Sequence, residues 1–414
     1  MNDRHKIIFS RALTNSGDQA WDFAVPVFLA MLMPGKLDLV AFVFFLSRLS
    51  HVLLLPPLGN LIDRLSRLQV FRLGLAAQFS GVLIQALSFY NLSQAGHVSL
   101  VGVVCGGVLS SLGASMTSIG VAQDLVPTLF AGEELTRINS RIRQVDLFSE
   151  VVSPVLAGLL FALSPPTFPL LGLLLVALWN LVSFFPEYAL VKGVLWNERE
   201  KLKKPALMAV KVPIWAKLSR GWRELLRLPI APAVFAYALL WLSALSPHGV
   251  LLTSFLKESW QLPELTLGLF RGAGAIFGLA ATIVFPILVN RFGLLSASRL
   301  SIFFQAGTLL AALVAFHLKV EWAFLGLILF SRIGLYSFSL GEQQVRQIGI
   351  LDGSRGTVNA TASALTGIAT LCLLGLGSIL GSVDQFQRLV DVSVGCVVLG
   401  AFLFAWGMRR GAAN

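Results

Sequence analysis

Of 414 residues, 56% are hydrophobic and only 13% are charged, and the net charge is +11. Soluble domains carry about 25% charged residues, so this composition excludes a soluble enzyme and describes a chain that lies mostly in lipid. The basic excess reads as an orientation signal and an anionic-lipid contact, not as a nucleic-acid footprint, because of where the charges fall.

In chain order, apolar segments long enough to span a bilayer occupy residues 6–33, 38–60, 67–90, 97–127, 132–163, 168–190, 230–256, 264–290, 296–317, 320–346, 355–380 and 385–408. They are rich in Leu, Gly and Phe and show little alternation, which favours helices over a membrane barrel. Numbering the connections alternately separates the basic residues. Arg4, Lys6, Arg11, Arg64, Arg67, Arg72, Arg137, Arg141, Arg143, Arg291, Arg299, Arg346, Arg355, Arg409 and Arg410 fall on one side with the long linker. Lys36, Lys257, Lys319 and Arg388 fall on the other. The positive-inside rule then places both termini in the cytoplasm, with the chain in a cell inner (plasma) membrane. The N-terminus has no small-residue cleavage site after its apolar run, so the first helix is expected to be retained. Cys105, Cys372 and Cys396 lie in apolar segments without a CxxC pattern and read as buried, reduced thiols.

The largest polar interruption, Lys192 to Arg227, holds ten Lys/Arg and three Glu. It divides the chain into an N-terminal half, residues 1–191, a basic linker, 192–228, and a C-terminal half, 229–414. Twelve transmembrane helices in two six-helix halves are the arrangement of the major facilitator superfamily, an all-α membrane fold with its binding site at mid-membrane. The loop Gly59-Asn60-Leu61-Ile62-Asp63-Arg64-Leu65-Ser66-Arg67 is close to that superfamily's signature, and Asn290-Arg291-Phe292-Gly293 reads as a decayed copy. Such a loop acts as a latch. Asp63 has three possible donors: Arg67, a basic residue of a neighbouring helix, or a helix N-terminus. Arg143 and Asp146, spaced i, i+3, are placed to join the same network. Simple solvation of these charges at the interface is the alternative.

Asp18 lies about twelve residues into the first span, near mid-membrane, where an ionised carboxylate costs roughly 2.5–3.5 kcal/mol and marks a functional site. Asp22 is one turn further on the same face. Gln78 and Asn180 reach nearly the same depth, and Asn180, Ser183 and Glu187 fall on one helical stripe at i, i+3 and i+7. Carboxylate, amide and hydroxyl oxygens suit a hard or borderline divalent cation. Interhelical hydrogen bonding alone, worth about 0.6 kcal/mol per bond, is the competing account of the amides and the hydroxyl. Arg48 is placed to offset the charge of Asp22. In the seventh span, Pro247-His248-Gly249 predicts a broken helix with exposed carbonyls, and His248 is a candidate metal ligand or proton carrier. Glu342 and Arg346 are spaced to pair. HExxH and GxSxG motifs are absent from the chain, against an intramembrane enzyme.

Residues 16–29, Ser-Gly-Asp-Gln-Ala-Trp-Asp-Phe-Ala-Val-Pro-Val-Phe-Leu, resemble ferroportin. So do Gly59 through Arg67, Ile138 through Asp146, Trp179 through Ser183 and Leu245 through Leu252. The last of these, with Gly268 through Gly272, looks most like the bacterial homologues. The resemblance implies a monomeric twelve-helix exporter of Fe2+ with no resident cofactor, one metal site per half, and exchange of metal for protons. Co2+, Mn2+, Ni2+ and Zn2+ are the related candidate substrates. It further implies Asp18, Gln78, Asn180 and Glu187 as first-half ligands, and His248 where vertebrate members carry a cysteine. Asp63, Arg67, Asn139, Arg143 and Asp146 match the family's cytoplasmic gate. The sequence departs from the vertebrate pattern at Asp22, which replaces a histidine, and around Leu373, where a histidine is missing. An exporter of organic cations or drugs is the alternative, with Asp18 pairing a substrate amine and Trp21, Trp179 and Phe184 lining its pocket.

Overall fold

A backbone crossing hydrocarbon must satisfy its own hydrogen bonds, and helices are the open-chain way to do so. The computed structural model describes residues 2–32, 37–95, 99–165, 168, 170–198, 214–247, 251–252, 255–256, 259–262, 264–380 and 385–410. Among these no strand occurs. The first-half helices are α1 (Asp3–Leu32), α2 (Leu37–Arg64), α3 (Arg67–Ala95) and α4 (Ser99–Ser118), the last running on through a π-helical stretch (Ile119–Leu125) into α5 (Val126–Leu129). α6 (Gly132–Ala162) and α7 (Leu170–Asn197) follow, then α8 (Ile214–Arg227) inside the basic linker. The second half contains α9 (Ala231–Leu240), α10 (Glu264–Phe292), α11 (Leu294–His317), α12 (Glu321–Gly349), α13 (Arg355–Leu380) and α14 (Phe386–Arg410).

Among the described residues, ten helical stretches are long and apolar enough to cross a membrane. The expected first and seventh spans are not among them. α1 is 30 residues long but carries Arg11, Asp18 and Asp22 within its length. α9 stops after ten residues. The seventh-span break therefore begins at Trp241, upstream of the Pro247-His248-Gly249 triplet, and residues 241–247 leave the helix. The cause lies in other helices as well as in proline. Pro247 has no N–H to return to the preceding turn. The Ala244 N–H donates to Ser393 Oγ of α14 at 2.9 Å, and Arg332 Nη2 of α12 donates to the Leu245 carbonyl at 2.6 Å. Side chains thus satisfy backbone groups that would otherwise demand helix.

The residues cluster into two compact units. The first comprises Met1–Phe130, Arg141–Gly221 and Leu351–Ala364; the second comprises Ala131–Ser140, Trp222–Ile350 and Leu365–Asn414. α6 and α13 each contribute residues to both. The first unit packs Trp21, Phe28, Val82, Phe89, Leu173 and Val176 into one core, with Phe28 edge-on to Phe89 at 5.4 Å. In the second, Phe285, Ala297 and Leu340 form a cluster, and Phe338 meets Phe404 edge-on at 5.0 Å. The three cysteines are free, but Cys105 and Cys372 are exposed on helix surfaces and Cys396 is half-buried. This corrects the expectation of burial: an apolar segment has a lipid-facing side, and a small thiol is at home on it.

Small residues set the distances around Asp18. A Cβ on Gly113 of α4 would stand 2.5 Å from the Gln78 backbone nitrogen, so only glycine lets α3 approach there. A Cβ on Gly17 would lie 3.1 Å from Asn180 Cα and 3.2 Å from Ser183 Oγ. Gly17→Ala is therefore expected to push α1 and α7 apart by a few tenths of an ångström. The overpacking costs about 1–3 kcal/mol, and thermal unfolding of the purified variant measures it.

Candidate metal site

Asp18 is half-buried on α1, and two amides hold its carboxylate. Gln78 Nε2 of α3 donates to both oxygens, at 3.3 and 3.1 Å, and Asn180 Nδ2 of α7 donates to Oδ1 at 3.4 Å. Gln78 and Asn180 are fully buried. The Thr117 hydroxyl lies 3.4 Å from Gln78 Oε1 and 3.0 Å from the Ala114 carbonyl. Ser183 donates to the Asn180 carbonyl at 2.7 Å. Glu187, two turns along α7, is 2% exposed.

Two buried oxygens in this group, Asn180 Oδ1 and Glu187 Oε2, have no hydrogen-bond partner. An unsatisfied buried acceptor costs about 1–3 kcal/mol, so both oxygens are open to a donor or cation from solvent. The amides now turn N–H toward Asp18. Rotation by about 180° about their last torsion presents oxygen instead, because an amide carries a donor and an acceptor on one planar group. The same constellation thus satisfies a bare carboxylate or joins it in an oxygen cage for a cation. Among the described residues no group of three His, Cys, Asp or Glu could hold a metal ion. The ligands expected from the sequence, Asp18, Asn180, Gln78, Ser183 and Glu187, all offer oxygen, with amides and a hydroxyl outnumbering carboxylates. Such a set suits a borderline divalent cation that keeps part of its water.

Asp22 is exposed one turn beyond Asp18, and Arg48 of α2 is exposed. The two interact electrostatically without forming a direct ion pair. His51, one turn after Arg48, escaped the sequence reading. Its Nδ1 lies 2.7 Å from Ser111 Oγ and its Nε2 lies 3.5 Å from Ser115 Oγ, both on α4. In the second unit the unwound residues 241–247 are braced as described above. His248 lies outside the described residues.

The latch residues meet different partners. Asp63 accepts hydrogen bonds from the α13 N-terminus: Gly356 N at 2.6 Å, Thr357 N at 2.8 Å and Thr357 Oγ1 at 2.5 Å. A helix N-terminus, one of its three possible donors, is seen here. Arg67 pairs with Asp124 at 2.8 Å, and Arg355 Nη1 stands 3.6 Å from the same carboxylate and 2.8 Å from Thr128 Oγ1. Asp146 binds Arg11 of α1 at 2.8 Å, and Asn15 donates to its carbonyl at 3.3 Å. Arg143 is half-buried one turn before Asp146. In the second unit Asn139 donates to Gln347 Oε1 at 2.6 Å, and Glu342 pairs with Arg346 at 2.6 Å as their spacing predicts. Asp63 thus meets the start of α13, Arg67 meets Asp124, Asp146 meets Arg11 and Asn139 meets Gln347. Asp124 is the member that sequence reasoning missed; its only signal is an acid at the end of an apolar span, just before Pro127.

A family model described as Ferroportin1 (FPN1) matches residues 4–211 and 197–397. The chain is 42% identical to Ferreportin of Bdellovibrio bacteriovorus over 99% of its length and 96% of that protein's. It superposes with a TM-score of 0.91, at 41% identity, on a bacterial homologue of the iron transporter ferroportin in an outward-facing state, covering 99% of this chain and 100% of the other. An outward-facing homologue soaked with iron gives a TM-score of 0.88 at 42% identity, covering 98% and 99% of the two chains. The proton:xylose symporter XylE gives 0.71 at 12% identity over 97% of this chain and 95% of its own, a likeness of fold alone, that of the major facilitator superfamily.

Proposed function

Since the chain belongs to the ferroportin family, and its fold is that of a membrane transporter and not of an enzyme, we propose that it exports Fe2+ and related divalent transition metals by alternating access. Protons move the other way. It works as a monomer in a cell inner membrane, with both termini and the basic linker in the cytoplasm. Asp18 binds the cation first, with Gln78, Asn180 and Ser183 turning oxygens toward it and Glu187 supplying a second carboxylate. His248 serves the second half as ligand or proton carrier.

One observation carries this reading: a mid-span carboxylate caged by two reversible amides, with two unpartnered buried oxygens beside it. The organic-cation alternative needs an aromatic lining, and two of the three rings it would use are buried in the core, with Trp179 half-buried against it. Trp21 is 3% exposed and donates to Gln85 at 2.8 Å, and Phe184 is 5% exposed.

Energetics support the proton exchange. Each elementary charge crossing 100 mV is worth about 2.3 kcal/mol, so a dication leaving a negative interior climbs roughly twice that. Two returning protons cancel it. In proteoliposomes holding a pH dye, Co2+ or Fe2+ on one side is expected to drive proton flux that is insensitive to a potassium-valinomycin potential. Metal flux without proton flux rejects the exchange; flux of neither rejects the transport reading.

A further inference from the structure

We propose that Arg11 is a tethered rival of the cargo cation, and that its ion pair with Asp146 holds it clear of Asp18 and Glu187 and so keeps their pocket open to metal. The inference rests on the metal-binding reading of that pocket and adds what sets its affinity.

Helix register puts Arg11 at the pocket. Arg11, Thr14, Asn15 and Asp18 are spaced i, i+3, i+4 and i+7, one stripe of α1. Asn180 of α7 reaches Asp18, and Asn197 of α7 donates to Asp3 Oδ1 at 3.1 Å, so the two helices run antiparallel. Seven residues back along α1 from Asp18 is Arg11, and seven residues on along α7 from Asn180 is Glu187. The two are therefore level, about 10 Å from Asp18 toward the start of α1 by the rise of an α-helix. Side-chain interactions agree with the register. Glu187 lies beside Thr14, and Arg11 feels the charges of Asp146, Asp18 and Glu187.

Arg11 thus has a choice of carboxylates, and one of them is taken. Its Nε donates to Asp146 Oδ1 at 2.8 Å and its Nη2 to Oδ2 at 3.3 Å, a two-point contact. Asn15 donates to the Asp146 carbonyl at 3.3 Å and fixes that stretch of α6 at the same level. Glu187, across on α7, keeps Oε2 buried and without a partner. A guanidinium freed from Asp146 in this part-buried place needs another acid, because an unpaired charge there is costly. Glu187 is the nearest choice on α7, with Asp18 beyond it. Tied, Arg11 and Asp146 are neutral as a pair, and a cation approaching Asp18 and Glu187 meets little repulsion from them. Untied, Arg11 brings a full positive charge to the same two acids and competes with the cation for them. The rival cannot diffuse away as a metal does, so the outcome depends on which acid holds it.

The test is calorimetric titration of purified full-length protein with Co2+. Asp146→Ala is expected to lower the affinity about tenfold, the scale of one uncompensated charge at that separation. Arg11→Gln should raise it by about the same factor, since the rival is gone. The double variant carries neither charge and should return to within about threefold of the wild type, so that removing Arg11 rescues the loss of Asp146. Asp146→Glu keeps the pair and should bind as the wild type does. A merely structural ion pair gives another pattern: both single variants bind more weakly, and the double is no better. An Arg11→Gln variant that binds more weakly than the wild type, or a double variant no tighter than Asp146→Ala, overturns the inference and leaves the cation site standing. Should Asp146→Ala not fold, the direction of change in Arg11→Gln decides alone. A wild type that binds no Co2+ overturns the inference and the metal-binding reading together.

Discussion

Asp18→Asn is expected to weaken metal binding about a hundredfold and to slow transport, without weakening the fold. The substitution removes the one carboxyl group held by both Gln78 and Asn180. A carboxylate near mid-membrane destabilises a bundle by roughly 2.5–3.5 kcal/mol unless something compensates it. Asparagine keeps an acceptor for the Gln78 amide and discards the charge. Thermal unfolding should therefore occur at the wild-type temperature or slightly above it, since neutralising a buried charge is often stabilising. Metal affinity should fall by about a hundredfold, a loss of roughly 2.7 kcal/mol at 1.36 kcal/mol per decade. Calorimetry with Co2+ and uptake into proteoliposomes check the two sides. Gln78→Ala and Asn180→Ala remove one oxygen each and should cost about tenfold apiece, while leaving Asp18 short of a donor and the protein less stable by about 1–3 kcal/mol. The opposite pattern, with Asp18→Asn unfolding early and the amide variants binding normally, would mean the three side chains only fasten helices together.

The second large effect is expected at Asp63. This carboxylate is 6% exposed and takes two backbone N–H groups and one hydroxyl at the start of α13. Asp63→Ala leaves Gly356 N and Thr357 N buried without acceptors and removes a negative charge from the positive end of a helix. Breaking a buried contact of this kind costs about 3–5 kcal/mol. Asp63→Asn keeps one acceptor oxygen and should lose about half as much. Hydrogen exchange reports the result directly: the Gly356 and Thr357 amides should exchange slowly in the wild type and fast in Asp63→Ala. Transport should slow as well, because α13 contributes its first residues to the first unit and the remainder to the second. Any loosening at Asp63 frees a helix that both units share. Amides at 356 and 357 that stay protected in Asp63→Ala would dismiss the carboxylate as the latch.

Local pattern made the cage around Asp18 legible. Carboxylates in lipid are rare, and depth counted along helices of known rise brings Asp18, Gln78 and Asn180 level. The stripe of Asn180, Ser183 and Glu187 follows from helical periodicity alone. Other features depend on which helix lies beside which, and no local pattern reports that. Asp63 had three chemically acceptable partners, and its contact with the α13 N-terminus depends on tertiary placement. Asp124 is hidden because its partners Arg67 and Arg355 are 57 and 231 residues away along the chain. The π-helical stretch that presents it has no compositional mark in Ile119–Leu125. His51 carries no pattern of its own in the sequence, and only Ser111 and Ser115 of α4 give it context. The seventh-span break was readable from Pro247, but its extent was not, because Arg332 and Ser393 act from α12 and α14.

Thr117 gives the cage a property beyond affinity. When Gln78 turns its oxygen inward, its nitrogen comes round to the threonine, which then accepts where it had donated and keeps the Ala114 carbonyl as its own acceptor. On the proposed reading a loaded cage would keep Gln78 bonded to Thr117, so cargo would neither sit in a deep well nor tear the network on entry. A valine in that place would leave the glutamine amide without its threonine partner in either setting, so a single methyl-for-hydroxyl exchange one side chain behind the proposed ligand would weaken the cage.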